Sequence, residues 1–247
     1  MPDEILIEIY AQCGFRNQSL ILLLDILEGL PEFKPTHWAR DERPDSKSTY
    51  SRDDLLFAVG GLGDLNTPHL YGSAISYTAY FTIDRQHLNN LIISFGSDLN
   101  EESLAKILQL SSVLANALKA EYGYVHFLWK NAPERYMQEG SFALRYLQKY
   151  GPCPSLARTW FGSYLISLIG QGRLETCGAS IQHLSYGGIQ ADLIENLVDA
   201  DHRTLTIRQR EVMEHLLPSG IFGDYSHPLL RKRGANWQPI PIDHFAD

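Results

Sequence analysis

Alternating isoleucines near the N-terminus predict the first strand of the chain. Ile5, Ile7 and Ile9 alternate with residues of mixed character, which is the two-residue period of a strand. Residues 20–30 follow, and they are apolar on nearly every side. That pattern is typical of a buried helix, and we expect Pro31 and Pro35 to end it because proline cannot continue a helix.

The next segment is polar and charged. We interpret residues 36–51 as an irregular loop that carries one large aromatic side chain, Trp38. Ser51 then offers an N-cap side chain for a second helix, with residues 55–59 as its body. Glycines from Gly60 onward predict the end of this helix.

The middle of the chain predicts a unit of two strands, a helix and a third strand. Residues 74–83 and 88–95 are rich in β-branched and aromatic side chains, and the short connection between them predicts a hairpin. Asp98 and Asn100 offer N-cap side chains for an amphipathic helix, which we expect Gly123 to end. Residues 124–129 then return as a strand, which completes a ββαβ unit.

Patterns in the C-terminal part are less regular. Residues 155–170 show helical spacing, with Gly170 as the C-terminal cap, and residues 180–195 predict a hairpin around a Gly-Gly turn. Residues 207–217 predict a helix, and the tail at 220–247, which contains three prolines, predicts an extended segment over the surface. The residues expected to face inward from that helix are Ile207, Val212 and Leu216.

The order of these elements predicts an α+β fold. We expect a mixed or antiparallel sheet with the central ββαβ unit and helices packed on one side. Similar phrases at residues 72–76 and 178–182 each open a hairpin that a helix follows, so a duplicated ββα arrangement stays open. One domain over residues 1–247 is predicted, with subdomains 1–150 and 151–247 as the alternative.

Composition and charge limit the partners. The 247 residues are 44% hydrophobic and 20% charged, with a formal net charge of −8. This balance argues against nucleic acid or an anionic membrane as partner, because both select clustered Lys and Arg, and it permits a basic partner. The chain shows no secretory signal, no membrane-spanning segment and three widely spaced cysteines, which together predict a reducing cytoplasm and buried thiols.

A search for catalytic motifs finds none. The sequence lacks the nucleophile elbow, the dinucleotide and P-loop fingerprints and the usual zinc spacings, so we predict no catalytic residue, no metal site and no cofactor. His126 and His183 are the candidates for a general base, although no acid is paired with either by sequence. Residues 199–202 (Asp-Ala-Asp-His) lack the glycine and distal glutamate of a calcium loop, which favours a polar turn over an ion site.

Two acidic segments are candidates for contact with a partner. The first lies at residues 41–54 around Trp38 and Tyr50. The second runs from residue 192 to residue 201 and has no Lys or Arg before Arg203. Clustered carboxylates would steer a basic partner, with a merely solvated surface as the alternative. The candidate contact residues are Trp38, Asp41 and Glu42 in the first segment, and Asp192, Glu195, Asp199 and Asp201 in the second.

Several phrases of the sequence resemble bacterial toxin-immunity proteins. They are Trp38 in its charged loop, the ββαβ unit, the run Arg-Thr-Trp-Phe-Gly-Ser-Tyr-Leu at 158–165 with Gly170, and Leu-Leu-Pro at 216–218 before Phe222. Over residues 1–225 the chain looks like the immunity protein 52 family of polymorphic toxin systems, or a related type VI secretion immunity family. These motifs are aromatic and glycine phrases, not a catalytic signature.

The resemblance implies a non-enzymatic inhibitor. Such a protein binds one cognate toxin, often a basic or nuclease-type effector, in the bacterial cytoplasm and neutralises it. It implies neither nucleic acid nor a membrane as partner, and it leaves a homodimer open. Two other classes remain as alternatives: a small cytoplasmic hydrolase or nuclease that uses a histidine with carboxylates, and an adaptor of a secretion system.

Overall fold

The structure is a computed structural model. It describes residues 1–11, 18–41, 47–61, 67–82, 88–96, 98–130, 144–226 and 230–241. The strands are β1 (Glu4–Ala11), β2 (Pro35–Ala39), β3 (Ser48–Thr49), β4 (His69–Gly72), β5 (Tyr77–Phe81), β6 (Asn89–Phe95), β7 (Tyr122–Leu128), β8 (Arg158–Phe161), β9 (Ser180–His183) and β10 (Ile189–Asp192). The helices are α1 (Gln18–Gly29), α2 (Arg52–Gly61), α3 (Glu101–Ala117), α4 (Leu144–Tyr150), α5 (Ser163–Ile169), α6 (Gln171–Glu175) and α7 (His202–Leu216), with single 3₁₀ turns at Leu197–Asp199 and Leu217–Ser219.

These strands form one continuous sheet in the order β3-β2-β4-β5-β6-β1-β7-β8-β10-β9. Every pairing between them is antiparallel. The helices lie on one side, so the predicted α+β class is confirmed. Strands from both predicted subdomains, residues 1–150 and 151–247, contribute to this sheet. Whether a ββα unit was duplicated stays a prediction.

Strand β1 lies in the middle of the sheet, between β6 and β7. Its isoleucines are fully buried, and the register places Ile7 beside Val125, which in turn pairs with Arg158. Because the Arg158 side chain reaches the Leu108 carbonyl of α3, the isoleucines lie on the face that the helices cover. Glu8 and Tyr10 alternate with the isoleucines and therefore lie on the opposite face.

Helix α3 begins as the sequence predicts. The Asn100 side chain accepts a hydrogen bond from the Ser103 backbone N–H at 2.8 Å. The helix ends at Ala117, however, and Lys119 adopts a positive φ of 52° that turns the chain into β7. The prediction that Gly123 ends this helix is wrong, because Gly123 lies within β7, where a Cβ would meet the Glu8 carbonyl oxygen at 2.6 Å.

The predicted loop at residues 36–51 is wrong in its first part. Residues 35–39 form β2, which pairs with β4, a strand that the sequence reading missed. Trp38 lies in β2 beside Leu70 and is only 8% exposed, so it belongs to the core and not to an exposed loop. The helix predicted after Ser51 is confirmed, since the Ser51 hydroxyl accepts a hydrogen bond from the Asp54 N–H.

The C-terminal elements correct three expectations. Residues 158–161 are the strand β8, and helix α5 occupies only the second half of the segment that we predicted as helical, with Gly170 as its C-cap. Ile207 is 45% exposed instead of facing inward, whereas Val212 and Leu216 are buried as expected. The tail is not merely a surface segment, because Trp237 is fully buried and donates its indole N–H to the Gln148 carbonyl at 3.0 Å.

Two further predictions concern turns and membrane segments. The hairpin of β9 and β10 is confirmed, and its turn is closed by a 2.8 Å hydrogen bond from Leu184 N–H to the Gly188 carbonyl.

The connection predicted at residues 84–87 lies outside the described residues, although β5 and β6 pair antiparallel as expected. In the part of the chain that the structure describes, no helix has the length and apolar character needed to cross a membrane.

Candidate functional site

Asp192, the first candidate of the second acidic segment, is part of a buried ion pair. It is 8% exposed at the end of β10, and its two carboxylate oxygens accept hydrogen bonds from Arg158 Nε and Nη2, each at 2.7 Å. The remaining guanidinium nitrogen, Nη1, contacts the Leu108 carbonyl at 2.6 Å and the hydroxyls of Ser111 and Ser112. Asp192 therefore stabilises the packing of α3 on the sheet and does not present a charge to solvent.

The other three acids of that segment are exposed, but two of them shape the backbone. Asp201 caps α7, where its carboxylate accepts hydrogen bonds from the N–H and hydroxyl of Thr204. These bonds lower the pKa of Asp201. Asp199 accepts a 2.6 Å hydrogen bond from the Asn196 side chain. Glu195, which precedes Asn196 in the chain, is exposed. The predicted polar turn at 199–202 is thus a capped helix start.

Of the three candidate residues in the first acidic segment, the structure describes Trp38 and Asp41. Trp38 is buried in β2, and Asp41 is half-buried just after that strand. Glu42 lies outside the described residues. Because Trp38 is buried, the expectation that it stands exposed as an aromatic anchor is wrong. Contact of Trp38, Asp41 or Glu42 with a partner stays a prediction.

Exposed apolar side chains that were not among the predicted contact residues lie on α1 and α2. Phe57 of α2 is 84% exposed, the highest value among the large hydrophobic residues in the described ranges. On α1, Ile21 and Leu22 are 42% and 38% exposed. The spacing held a signal for Phe57, because Leu55, Ala58 and Val59 form the inward face at i, i+3 and i+4 and leave position 57 outside.

The two helices are joined by polar contacts at the N-terminus of α2. Arg52 contacts the carboxylates of Asp25 and Glu28 on α1 at 2.7 Å and 2.6 Å, and the Tyr50 hydroxyl donates to Glu28 at 2.6 Å. The two carboxylates raise the pKa of Arg52, and burial together with the bond to Glu28 raises the pKa of Tyr50. We use the name α1–α2 surface for the exposed apolar and acidic residues of these two helices. Its residues are Ile21, Leu22, Asp25, Asp53, Asp54 and Phe57.

The histidines predicted as candidate bases lie apart. Burial lowers the pKa of His126 to about 4, and its Nε2 atom has no hydrogen-bond partner within the described ranges. The imidazole is therefore neutral at neutral pH. His183 lies on the surface of the β9–β10 hairpin, with Nε2 3.4 Å from the Glu175 carboxylate. The structure thus supplies the acid partner for His183 that the sequence did not reveal.

The cysteines of the described part are poor nucleophiles. Cys153 and Cys177 are buried and free, as the sequence predicts, whereas Cys13 lies outside the described residues. Burial raises the pKa of Cys153 to about 12 and also raises that of Cys177, so both stay protonated. Among the described residues, no group of three or more His, Cys, Asp and Glu side chains is arranged to hold a metal ion.

A buried polar cluster lies on the sheet face opposite α3. Glu8 is fully buried, and its carboxylate accepts hydrogen bonds from the hydroxyls of Tyr10 and Tyr124. Burial and the nearby Glu8 raise the pKa of both tyrosines, which keeps them as donors. Because all three groups are removed from solvent, we assign the cluster to the stability of the central strands.

Comparisons with known proteins give information on the fold of this chain. No family model matches the chain, and no curated protein matches it. Among solved structures, the chain is similar to the Pseudomonas aeruginosa T6SS protein PA0821, with a TM-score of 0.56 and 14% sequence identity over 86% of this chain and 76% of that chain. At this identity the likeness shows that the two chains share a fold.

Proposed function

We propose that this protein is an immunity protein that binds a toxin of a bacterial type VI secretion system and neutralises it by protein–protein contact. The observation that carries the proposal is the fold shared with a T6SS protein of Pseudomonas aeruginosa. The aromatic and glycine phrases of the sequence support the same class, because they resemble immunity families. The toxin-binding role itself is our inference from these two likenesses.

Charge supports a basic toxin as the partner. The chain carries a formal net charge of −8, and exposed carboxylates lie on the α1–α2 surface and at Glu195 and Asp199. A nuclease active site is electropositive because it binds phosphates. An acidic surface with an aromatic anchor can occupy such a site or its rim, with carboxylates in the positions of phosphates.

An enzyme is the second candidate function, and one contact favours it. His183 and Glu175 form an exposed acid–base pair with 3.4 Å between nitrogen and oxygen, the type of pair that hydrolases use. This pair lies on the hairpin β9–β10 and the helix α6, away from α1 and α2 in the chain. A variant at His183 therefore separates the two functions.

The test first sequences the gene next to the one for this chain, which the proposal expects to encode a secreted protein with a toxic C-terminal domain. That domain is then co-expressed with this chain. The toxin alone should stop growth, and the toxin with this chain should grow normally. An unrelated acidic protein of similar net charge is the matched control and should give no rescue. The His183→Ala variant should rescue as well as the wild type. Loss of rescue in that variant, with folding intact, would favour the enzyme instead, and absence of rescue by the wild type would refute immunity.

A further inference from the structure

Resting on the proposed immunity function, we propose that the α1–α2 surface is the toxin-binding surface and that Phe57 is its anchor. The partner it fits is a basic protein surface, with Lys or Arg side chains around an apolar pocket that receives the Phe57 ring. Each part of this assignment depends on a separate feature of the two helices.

Phe57 lies outside the part of α2 that packs on the core. The buried side of α2 is formed by Leu55, Ala58 and Val59, whereas the ring of Phe57 is 84% exposed to solvent. Aromatic side chains with large contact area are the residues that dominate binding energy once they fill a partner's pocket. Phe57 therefore presents the type of anchor that a protein interface requires.

The acids Asp53 and Asp54 lie on the same side of α2 as Phe57. They precede it by four and three residues, which places their side chains beside the ring on the helix surface. Both carboxylates are exposed. A partner that receives the ring thus meets two negative charges at the edge of the contact.

Helix α1 contributes the other apolar residues of the α1–α2 surface. Its buried side consists of Leu20, Leu23, Leu24 and Leu27. Ile21 and Leu22 lie outside this set and are exposed, and Asp25 follows them at helical spacing on the same exposed side. The helix therefore carries more apolar residues than the core uses, and the additional ones face solvent next to a carboxylate.

Arg52 links the first turn of α2 to helix α1. Its guanidinium lies at the first turn of α2, beside Asp53 in sequence, and contacts the Asp25 carboxylate of α1 at 2.7 Å. The second contact, to Glu28 at 2.6 Å, anchors it further. These contacts hold the N-terminus of α2 against α1, which limits the motion of the two helices relative to each other when a partner docks.

The charge of this surface selects the partner. Helices α1 and α2 contain four carboxylates, Asp25, Glu28, Asp53 and Asp54, and Arg52 is their only cation. Arg52 is engaged by Asp25 and Glu28, so Asp53 and Asp54 lack a cation from these two helices. Two copies of this surface would repel each other, which disfavours a homodimer here, whereas a basic partner is attracted.

The experiment measures the dissociation constant for the purified toxin domain from the neighbouring gene by titration calorimetry. Phe57→Ala should weaken binding about 30-fold or more, the loss typical of an interface hot spot. Ile207→Ala is the matched control, because Ile207 is also a helical residue that is 45% exposed, and it should stay within about 3-fold of the wild type. Circular dichroism and the melting temperature confirm that both variants are folded.

A pair of charge variants separates this surface from the second acidic segment. Asp53→Asn with Asp54→Asn removes two negative charges from the α1–α2 surface, and Glu195→Gln with Asp199→Asn removes the same number elsewhere. The first pair should slow association about 3-fold or more at low salt, and the second pair should leave it nearly unchanged.

The outcomes distinguish this inference from the function on which it rests. If the wild type neither binds nor neutralises the toxin, the immunity function fails and the surface assignment fails with it. If the wild type binds tightly and Phe57→Ala binds equally well, the function stands and the assignment is overturned. A larger loss from the Glu195 and Asp199 pair, or a dimer that Phe57→Ala dissociates without effect on toxin binding, also overturns it.

Discussion

Arg158 of β8 and Asp192 of β10 lie directly opposite each other in the sheet and form a two-point ion pair, with both nitrogen–oxygen distances at 2.7 Å. The third guanidinium nitrogen continues to the Leu108 carbonyl of α3. One buried arginine thus connects two strands and the longest helix of the described chain.

Breaking this ion pair should cost much stability. Arg158→Leu leaves the Asp192 carboxylate buried without a cation, and we expect it to lower the free energy of unfolding by about 3–5 kcal/mol. Urea unfolding followed by tryptophan fluorescence measures the change. Lys106→Leu is the control, because Lys106 joins Glu32 and Glu102 in an ion-pair group open to solvent and its loss should be much smaller. Equal losses in the two variants would contradict the assignment.

Gly123 should not tolerate a side chain. A Cβ at this position would lie 2.6 Å from the Glu8 carbonyl oxygen and 3.0 Å from the Trp160 ring. We expect Gly123→Ala to lower the free energy of unfolding by about 1–3 kcal/mol, as overpacking does in a dense core. Gly172→Ala in α6 is the matched control. Apart from its chain neighbours and the backbone of its own helix, no atom of the described residues lies within 4 Å of its added Cβ, so that variant should be neutral or slightly more stable.

His126 should make stability depend on pH in the acidic range. Its pKa is about 4 in the folded chain against an ordinary 6.5, so the unfolded chain binds the proton first as pH falls. The contribution of His126 is therefore fully present above pH 6.5 and is lost as pH falls from about 6.5 to about 4, by at most about 3 kcal/mol.

The variant His126→Leu removes this titration. At pH 7 it should be about as stable as the wild type, because the neutral ring leaves Nε2 without a hydrogen-bond partner in the described ranges. Between pH 6.5 and pH 4 it should lose less stability than the wild type in parallel urea titrations. Identical pH profiles for the two proteins would show that His126 does not titrate as described.

Association with the toxin should weaken with salt if charge drives encounter. The net charge of −8 and the exposed acids predict fast binding at about 20 mM NaCl and a rate at least about 10-fold lower at about 500 mM. Stopped-flow fluorescence or surface plasmon resonance gives the rate constant. A rate that does not change with salt would exclude electrostatic steering, and contacts of the apolar residues would then have to account for recognition.

Elements with complete local patterns could be predicted from the sequence. Strand β1 shows three alternating isoleucines, and α3 combines an N-cap at Asn100 with a long apolar stripe. Strands β2 and β4 were missed because they have only five and four residues, too few to display a clear period. The sequence pattern therefore places Trp38 in a loop, whereas the structure places it in β2, where pairing with β4 buries it.

The site was harder to predict than the fold because it depends on distant partners. Asp192 looked like one member of a free acidic cluster, and only the fold brings Arg158 to it from 34 positions away. Similarly, Arg52 reaches Asp25 and Glu28 on another helix, a contact that no local pattern encodes. The exposure of Phe57 did have a local signal in the spacing of its buried neighbours, so that part could have been predicted.

The central claim, that this chain acts by binding and changes no covalent bond, is tested most directly by an inhibition titration. Increasing amounts of the purified chain are added to a fixed amount of the purified toxin domain, and the remaining toxin activity is measured. We predict a linear fall to zero at a fixed molar ratio, with both proteins eluting together on gel filtration. Complete inactivation by a small fraction of one equivalent, without a stable complex, would contradict the claim and indicate a catalyst.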